Sequence, residues 1–429
     1  MYKSSKNPSD PKTQSYRLLA ENFRVSNDPL ITGLNNHDLI VGASCSGKTG
    51  GYVAPNILVA DSSMVVVDTK GLLYRKYKRY LEKKEFRVVN VDFVNMESSA
   101  IYNMLDFIRP AVSRKSTVPF RQKDIRTISH ALLPDDMEEE KFWIESARCV
   151  LTSLIAYVME VIDEEERNMC TVAKLYLLLN QLVRQSYDER TRCCSIPFFE
   201  ELRLENEDSL AVLLYDTWRN SVAAEKMWAS ICQFISVALE PFIYDDMKDL
   251  FEGKSTIDFA ELGRKKTILF VNISDNNRDM DAVINVFYQQ MFQALMNEAD
   301  SREDGRLQIP VRIIMDDFAA NFSIPDFDKL ISVIRSRQIY VSLILQSLSQ
   351  LEGMYSVSQA KTIINNCDFK LFLGGQEPET ARYIADMVGC LPETVMKLRS
   401  NQVYIIIRGE DPQLTIKIAP YSMDKEIGL

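Results

Sequence analysis

The segment Gly42–Thr49 combines the residue types that a loop needs to bind phosphate. It reads Gly-Ala-Ser-Cys-Ser-Gly-Lys-Thr, which matches the pattern G-x-x-x-x-G-K-[ST] at every fixed position. In such a loop the backbone N–H groups converge on phosphate oxygens, the lysine charge faces the β- and γ-phosphates, and the threonine hydroxyl is a ligand for Mg²⁺. We therefore expect a site for ATP and Mg²⁺, the alternative being a chance match in a loop rich in glycine and serine.

The expected contacts with ATP come from the loop and the first residue after it: Gly42, Ser44, Cys45, Ser46, Gly47, Lys48, Thr49 and Gly50. Among them, Lys48 has a catalytic role as the phosphate-binding cation, and Thr49 supplies the hydroxyl for Mg²⁺. Cys45 is either a reactive thiol in an electropositive loop or a small residue that the loop tolerates.

Phosphate chemistry at such a loop also requires a carboxylate at the end of a neighbouring strand. The apolar run 311–315 is followed by Asp316 and Asp317, so a predicted strand ends in two acids. We expect Asp316 to hold Mg²⁺ and Asp317 to orient the attacking water. Asp68, at the end of another apolar run, is the rival to Asp316, and two acids that cap the following helix are the structural alternative.

Three more polar residues are candidates for a part in hydrolysis. Gln346 follows the apolar run 340–345, where a neutral amide could contact the γ-phosphate and report its loss; otherwise it is a polar strand end. Arg335 and Arg337 lie between the acidic strand and this one. We expect one of them to reach the γ-phosphate of a neighbouring subunit as an arginine finger, the alternative being a solvated helix end.

Short apolar runs rich in β-branched residues surround these positions and alternate with helical stretches, as in a parallel sheet covered by helices. The predicted strands are 38–41, 63–68, 86–93, 266–273, 311–316, 340–345, 369–374 and 403–408. The alternation stops in the middle of the chain, where four segments have helical spacing: 142–162, 171–185, 208–222 and 225–239. The pattern predicts an α/β protein with a mostly parallel sheet and an all-helical insertion.

The same pattern divides the chain into three parts. Residues 1–36 are polar and carry three prolines, which predicts an extended N-terminal arm. Residues 37–109 and 255–429 form the expected nucleotide-binding α/β domain, and residues 110–254 form the expected all-α insertion domain.

Composition limits the class of protein. With 46% hydrophobic and 26% charged residues the chain is globular, and its net charge of −10 argues against a surface that binds nucleic acid all over. Two histidines are too few for a histidine metal site, and eight cysteines without C-x-x-C spacing indicate reduced thiols. Because we find no export signal and no apolar stretch of about 18 residues, we expect a cytoplasmic chain without a transmembrane segment.

Two stretches concentrate positive charge locally. Residues 70–87 hold eight basic and two acidic residues with three tyrosines between them, and residues 109–126 hold six basic residues and one acid. Basic residues interleaved with aromatic ones suit a groove that follows single-stranded DNA, the alternatives being a face for acidic lipid and a solvated basic helix. The insertion is acidic at 135–140 and 163–166, so we expect it to dock a protein rather than DNA.

Together these motifs resemble those of the conjugative coupling proteins of type IV secretion, the TraG/TraD family. The similarity runs from about Gly33 to Gly389 as an ordered series of segments: GLNNHDLIVGASCSGKT, YVAPNIL, VVVDTKGLLYRKYKRYLE, KKTILFVNISD, DDFAANFSIPDFDKLISVIRSRQIYVSLILQSLSQL and NCDFKLFLGGQEPETARYIADMVG. An ordered series of this kind is far more specific than the phosphate loop alone.

The resemblance implies a RecA-like P-loop nucleotide domain with an all-α insertion and a homo-hexameric ring. It also implies ATP-driven delivery of single-stranded DNA, with its relaxase or another relaxosome protein, into the channel proteins of a type IV secretion system. The residues at matching positions are Lys48 and Thr49 for the family's Walker A motif, Asp316 for its Walker B acid, Gln346 for its sensor glutamine, and Arg335 or Arg337 in the segment of its finger arginine.

The chain departs from the family's pattern in ways that affect function. Relatives usually carry transmembrane helices ahead of the phosphate loop, so we expect a membrane-anchoring partner to recruit this chain to the inner face of the plasma membrane, the alternative being that membrane attachment is absent. The usual Asp-Glu pair is Asp316-Asp317 here, and a side chain shorter by one methylene could position water less well. The stretch after Gly389 is also shorter than usual, which leaves a partner contact there open.

Three functions are therefore compatible with the sequence. The expected one is an ATP-dependent motor that transfers DNA in conjugation. The second is a nucleotide-gated cargo adaptor that hydrolyses ATP weakly because of Asp317. The third is a DNA pump of the same superfamily that serves segregation or packaging.

Overall fold

The computed structural model describes residues 15–113, 116–134, 141–190, 193–274, 276–318 and 323–427. The chain forms two compact units. The first comprises Met1–Asn90, Phe259–Asn276 and Phe292–Leu429, and the second comprises Val91–Asp258 and Asn277–Met291.

A nine-stranded sheet is the framework of the first unit, within the part of the chain that the structure describes. Numbered along the chain and given in spatial order, its strands are β13 (Gln413–Ile416), β12 (Gln402–Ile407), β11 (Phe369–Phe372), β3 (Asp38–Val41), β10 (Ile339–Leu345), β9 (Val311–Met315), β4 (Ser63–Val67), β8 (Thr267–Asn272) and β5 (Arg87–Asp92). The ladders from β11 through β3, β10, β9 and β4 to β8 are parallel, whereas β12 pairs antiparallel with β11 and β13. The predicted α/β class with a mostly parallel sheet is confirmed.

All eight predicted strands are confirmed, with ends that shift by one or two residues. The sequence interpretation missed the edge strand β13 and a hairpin formed by β1 (Tyr16–Ala20) and β2 (Phe23–Ser26). The side chains of β13 are exposed or half-buried, so no apolar run marks that strand.

The hairpin replaces the extended arm that we predicted for the start of the chain. Residues 15–36 belong to the first unit, because Leu19 and Ala20 of β1 are buried in the same core as Ile40 of β3. The prediction is wrong for these residues, since β1 buries two apolar side chains, Leu19 and Ala20, and the charged Arg17 within an otherwise polar segment. Residues 1–14 lie outside the described residues.

The helices of the first unit are Pro29–Thr32, Ala54–Leu58, Leu72–Lys83, Phe327–Ile334, Leu348–Met354, Val357–Asn365, Pro378–Val388, Pro392–Met396 and Ser422–Glu426. Those of the second unit are Gln122–Leu132, Lys141–Val161, Met169–Ser186, Pro197–Glu205, Leu210–Trp218, Glu225–Leu239 and Lys248–Phe251, with a short ladder of β6 (Tyr187–Asp188) and β7 (Cys193–Cys194). Helix Asp281–Asp300 contributes residues to both units. The four predicted helical segments are confirmed.

The second unit extends beyond the predicted insertion. Residues 91–109 belong to it because the rings of Phe93 and Tyr102 pack edge-to-face on Phe287. The Tyr102 hydroxyl also donates to Gln290 Oε1 at 2.7 Å. The second unit therefore begins at Val91, whereas the predicted insertion begins at residue 110. The first part of helix Asp281–Asp300, up to Met291, also belongs to this unit.

Among the described residues, one helix is long and apolar enough to cross a membrane. It is Phe142–Val161, and more than half of its apolar stretch is buried inside the structure. The helical stretches Glu225–Phe242 and Asp245–Phe251 pass the same test only as a pair bent by 57°. Core helices of water-soluble units share this length and composition, so the finding is weak evidence for a membrane span.

A buried carboxylate joins several elements of the first unit. Asp38, at the start of β3, is fully buried. Its oxygens accept hydrogen bonds from Arg17 Nε (2.9 Å) and Arg312 Nη1 (2.9 Å) and from the hydroxyls of Tyr52 (2.7 Å) and Ser342 (3.1 Å). Burial on its own would raise the pKa of Asp38, but the charges of Arg17 and Arg312 outweigh it and hold the pKa below its usual value.

We expect Asp38→Asn to lower the free energy of unfolding of the first unit by about 3–5 kcal/mol, the range for breaking a buried ion pair. Arg17 and Arg312 would keep their buried charges and lose their carboxylate. Hydrogen exchange of β3 and β10 peptides in increasing urea measures the loss. Tryptophan fluorescence would not report on the first unit, because all three tryptophans lie in the second unit. Asp411→Asn, at an exposed position between β12 and β13, is the control; an equal, small effect of both variants would contradict the prediction.

Candidate nucleotide site

The phosphate loop Gly42–Thr49 starts at the carboxyl end of β3, an interior strand that lies between β11 and β10. Its start is fixed on both sides. The Gly42 N–H donates to the Leu345 carbonyl at the end of β10 (3.0 Å), and the Ala43 N–H donates to the Gly374 carbonyl beyond β11 (2.9 Å). Because the first two amides bind the flanking strands, the register of the sheet sets the position of the loop.

The backbone of the loop explains its glycines. Gly47 has a φ of +93°, a conformation that favours glycine, and Cys45 has a φ of +62°. A Cβ at Gly42 would lie 2.4 Å from Ser46 Oγ, so a side chain does not fit there. Ser46 Oγ is buried and has no hydrogen-bond partner among the described residues. The loop therefore has the tight turns expected of a phosphate-binding loop, and it contains a buried polar atom with capacity for a further bond.

The Lys48 side chain folds over the loop. Its Nζ donates to the carbonyls of Gly42 (3.0 Å) and Ala43 (3.3 Å), and the residue is only 8% exposed. These carbonyls are neutral acceptors, so a charged phosphate oxygen is a stronger partner for the same ammonium group.

Asp316 and Thr49 meet although their strands are not neighbours. Asp316 follows β9, which is separated from β3 by β10, and its Oδ2 accepts a hydrogen bond from Thr49 Oγ1 at 2.5 Å. Burial raises the pKa of Asp316 to about 6; the charge of Asp317 adds to this rise, whereas the Thr49 bond and the Lys48 charge oppose it. The sheet thus places a hydroxyl and a buried carboxylate side by side.

These two groups fit Mg²⁺ by their chemistry. Mg²⁺ prefers oxygen ligands, keeps several waters, and in nucleotide sites takes only one or two protein oxygens besides phosphate. In the described ranges no group of three or more His, Cys, Asp or Glu residues is arranged to hold a metal ion by itself. The hydroxyl of Thr49 and the carboxylate of Asp316 are therefore the candidate ligands, and they suit a cation that arrives with a nucleotide.

Asp317 and Gln346 lie beside the same loop. Asp317 has a φ of +51°, and its Oδ1 lies 3.8 Å from Lys48 Nζ and 3.5 Å from Gln346 Nε2. Gln346 is the first residue after β10. The ends of three strands therefore bring together the side chains that we predicted for phosphate binding, metal binding, water orientation and sensing.

Asp68, the rival acid, has a different environment. Its carboxylate accepts the N–H groups of Leu72 (3.2 Å) and Tyr74 (3.0 Å) at the start of helix Leu72–Lys83. Its oxygens thus satisfy backbone donors that the first turn of a helix leaves free. Of the two acids, Asp316 is the one that forms the hydrogen bond with Thr49 of the phosphate loop.

The comparison with known families agrees with this geometry. The sequence model of the family described as type IV secretory system conjugative DNA transfer matches residues 9–403, nearly the whole chain. The chain belongs to this family. The resemblance inferred from the motifs is confirmed.

Curated relatives of this family are distant. Protein VirD4 of Agrobacterium fabrum is 21% identical over 426 residues, which cover 92% of this chain and 60% of the relative. Protein VirD4 of Rhizobium radiobacter is 22% identical over 375 residues, which cover 87% of this chain and 50% of the relative. The chain thus spans about half to three-fifths of the length of the curated relatives that it matches.

Solved structures share the fold. The bacterial conjugative coupling protein TrwBΔN70, in a trigonal form with sulfate, gives a TM-score of 0.60 at 17% identity and covers 91% of this chain and 86% of that one. VirB4 of Thermoanaerobacter pseudethanolicus gives a TM-score of 0.53 at 13% identity, with 90% of each chain covered. The expected RecA-like α/β fold with a helical part is confirmed.

The two candidate finger arginines lie away from the loop of their own chain. Residues Arg335–Arg337 precede β10, at the opposite edge of the sheet from Gln346. Arg337 binds Asp300 through two hydrogen bonds of 2.7 and 3.0 Å. Arg335 is exposed, and its side chain forms no ion pair within the described residues. A role for Arg335 toward a neighbouring subunit stays a prediction, and Arg337 is already engaged.

The packing of the basic helix Leu72–Lys83 bears on the expected DNA contact. Its tyrosines pack inward, each with a partner in the first unit: Asp424 for Tyr77, the Leu58 carbonyl for Tyr80 and the Phe270 ring for Tyr74. Tyr77 is buried and Tyr74 and Tyr80 are half-buried, so the aromatic residues of this stretch support a DNA contact less than its basic residues do. The exposed face instead presents Arg75, Arg79 and Lys83 at i, i+4 spacing.

In the second basic cluster, residues 109–126, Lys123 and Arg126 are exposed, whereas Arg109 is paired. Arg109 binds Asp124 through hydrogen bonds of 2.8 and 2.5 Å, which neutralises it. Arg114 and Lys115 lie outside the described residues, as does the acidic stretch 135–140. The acidic stretch 163–166 is exposed.

The sequence interpretation also missed residues that contact the loop from the far end of the chain. Lys417 Nζ donates to the Ser46 carbonyl at 2.6 Å, and the Tyr421 N–H donates to the Gly50 carbonyl at 3.0 Å. The sequence signal for this approach is the Gly50-Gly51 pair after Thr49, since a residue without a Cβ lets another segment come close to the backbone.

In the wild type, Mg²⁺ should increase the affinity for ADP. We expect Asp316→Asn to reduce this increase by about 10- to 100-fold, the range for losing a supporting carboxylate at a metal site. Titration calorimetry of ADP with Mg²⁺ and with a chelator measures this dependence. Asp68→Asn is the matched control, since it makes the same chemical change at the end of β4. Loss of the Mg²⁺ dependence in Asp68→Asn, with Asp316→Asn unaffected, would reverse the assignment.

Proposed function

We propose that this chain is the ATP-dependent coupling protein of a conjugative DNA-transfer system. It recruits relaxase-bound single-stranded DNA to a type IV secretion channel and drives transfer by hydrolysing ATP. The observation that carries the proposal is the 2.5 Å contact of Thr49 with Asp316 at an intact phosphate loop, in a chain of the conjugative DNA-transfer family.

Each residue near the loop has a part in the proposed hydrolysis. Lys48 exchanges its loop carbonyls for oxygens of the β- and γ-phosphates. Thr49 and Asp316 hold Mg²⁺, which neutralises charge on the phosphates when it is bound. Asp317 accepts a hydrogen bond from the attacking water and aligns it with the γ-phosphate. Gln346, 3.5 Å from Asp317, contacts the γ-phosphate and responds to its loss.

Solved relatives support ATP as the substrate and Mg²⁺ as its metal. The plasmid coupling protein TrwB has been crystallised with the non-hydrolysable ATP analogue ADPNP and with ADP and Mg²⁺. The fold of that protein covers 91% of this chain.

A ring of six chains is part of the proposal because it gives the exposed Arg335 a partner. In a ring, the arginine of one subunit neutralises charge on the γ-phosphate bound by the next. Arg335 is the better candidate for this role, since Arg337 would first have to leave Asp300.

The proposed DNA contact is the exposed face of helix Leu72–Lys83. Arg75, Arg79 and Lys83 lie on one side of it, and Arg79 and Lys83 form no ion pair within the described residues. Such a row suits the phosphates of single-stranded DNA, with affinity that falls as salt rises. The exposed acidic stretch 163–166 of the helical unit is the proposed docking region for a relaxase or another relaxosome protein.

The proposed location is the cytoplasm, at the inner face of the plasma membrane. A membrane-anchoring partner and the channel proteins of the secretion system recruit the chain there. The family match favours transfer through such a channel over DNA segregation or packaging.

One observation favours the nucleotide-gated adaptor as a second candidate. Asp317 is shorter than the glutamate usual in the family, and its carboxylate lies beside Lys48 and Gln346. If that contact persists with ATP bound, Asp317 aligns water poorly and turnover is slow. The adaptor predicts tight ATP binding with negligible turnover and a gain of activity in Asp317→Glu.

Steady-state ATP hydrolysis with and without single-stranded DNA tests the motor proposal. We expect DNA to stimulate the wild-type chain and to stimulate the double variant Arg79→Ala/Lys83→Ala much less. The slope of the logarithm of the DNA-binding constant against the logarithm of the salt concentration should also become shallower by about 1.4. Each of the two lost phosphate contacts contributes about 0.7 to this slope for single strands.

The matched control is Lys397→Ala/Arg399→Ala, which removes the same two residue types from an exposed turn of the first unit. Equal stimulation of both double variants would contradict a DNA contact on helix Leu72–Lys83. ATP binding without turnover in the wild type, rescued by Asp317→Glu, would favour the adaptor.

A further inference from the structure

The chain returns to the phosphate loop after its last strand. β13 ends at Ile416 on the edge of the sheet, and the Lys417 N–H donates to the Asn401 carbonyl at 3.0 Å. Ile418 is buried, and Met423 packs against the core of the first unit. We call residues Lys417–Asp424 the return segment; its backbone and apolar side chains fix it to this unit.

The return segment contacts the loop through both side chain and backbone. Lys417 Nζ donates to the Ser46 carbonyl at 2.6 Å, and the Tyr421 N–H donates to the Gly50 carbonyl at 3.0 Å. A Cβ at Gly50 would lie 2.8 Å from Pro420, so the approach depends on glycine at that position. The contact is thus close and specific to the residues that flank Lys48.

The other end of the return segment is held by the basic helix. Asp424 is buried; it accepts a hydrogen bond from the Tyr77 hydroxyl at 2.9 Å and forms an ion pair with Lys76. The Lys76 ammonium also lies 4.3 Å from the centre of the Tyr421 ring. The segment is therefore anchored on both sides of its contact with the loop.

Peptide geometry gives the Lys417 bond a consequence for phosphate binding. In a planar trans peptide the carbonyl and the following N–H point in opposite directions. Lys417 binds the Ser46 carbonyl, so the N–H of Gly47 is turned to the side away from Lys417. The bond therefore fixes the direction of one of the amides with which a phosphate loop binds its ligand.

We propose that Lys417 is a positioning residue of the nucleotide site. It orients the Ser46–Gly47 peptide, and it adds a second positive charge next to the loop that holds Lys48. This inference rests on the proposed ATP site and names a contributor to it that has no motif in the sequence. Because the oriented amide serves the phosphates that ADP and ATP share, Lys417 strengthens the binding of both nucleotides equally.

Nucleotide affinity and steady-state kinetics of Lys417→Met test the proposal. We expect the Kd for fluorescent ADP and ATP analogues and the KM for ATP to rise about tenfold, as for the loss of one charge-assisted hydrogen bond. The kcat should change less than twofold, because binding is lost in ground and transition states alike. Lys417→Arg, which keeps charge and donors, should restore most of the affinity.

The control is Lys425→Met, which removes the same charge from an exposed position one residue beyond the return segment. Should Lys417→Met not fold, Lys417→Gln is measured in its place with the same expectation. Unchanged Kd and KM, equal losses in Lys425→Met, or a fall in kcat at constant KM would each overturn the inference. Failure of the wild-type chain to bind any nucleotide would instead overturn the proposed function as well.

Discussion

A carboxylate in the interior of a protein must be neutralised by partners, and Asp38 is fully buried. The first unit supplies those partners from four elements: Arg17 of β1, Arg312 of β9, Ser342 of β10 and Tyr52 of the short helical segment Thr49–Val53 that follows Lys48. The strand that carries Asp38 continues directly into Gly42. The bonds that neutralise this carboxylate therefore also fix the strand from which the phosphate loop begins.

The parallel order of β3, β10 and β9 then accounts for the site. Their carboxyl ends meet at one edge of the sheet, so Lys48, Asp316 and Gln346 converge there although about 300 residues of sequence separate the first from the last. The same order leaves Arg335 at the other edge, which is why a role for it requires a neighbouring subunit. The return segment adds a connection within the unit, from the loop at Ser46 to the basic helix at Lys76.

Much of this arrangement could be predicted from the sequence, and the failures have definite physical causes. The eight predicted strands are rich in apolar β-branched residues, and several are apolar along nearly their whole length, so all eight were found. The phosphate loop has a pattern that is set by backbone geometry. Asp68 and Asp316 both end apolar runs, and only the strand order decides which reaches Thr49. The inward packing of Tyr77 and the approach of Lys417 depend on tertiary contacts between distant segments, which residue spacing does not encode.

We propose that ATP hydrolysis at this loop moves DNA. The most direct test is displacement of streptavidin from biotinylated single-stranded DNA by the wild-type chain, with Lys48→Ala as the inactive reference. We expect displacement that requires ATP and Mg²⁺, stops with a non-hydrolysable analogue and is absent in Lys48→Ala. Rapid ATP turnover without any displacement, or displacement by Lys48→Ala equal to that of the wild type, would contradict the proposal.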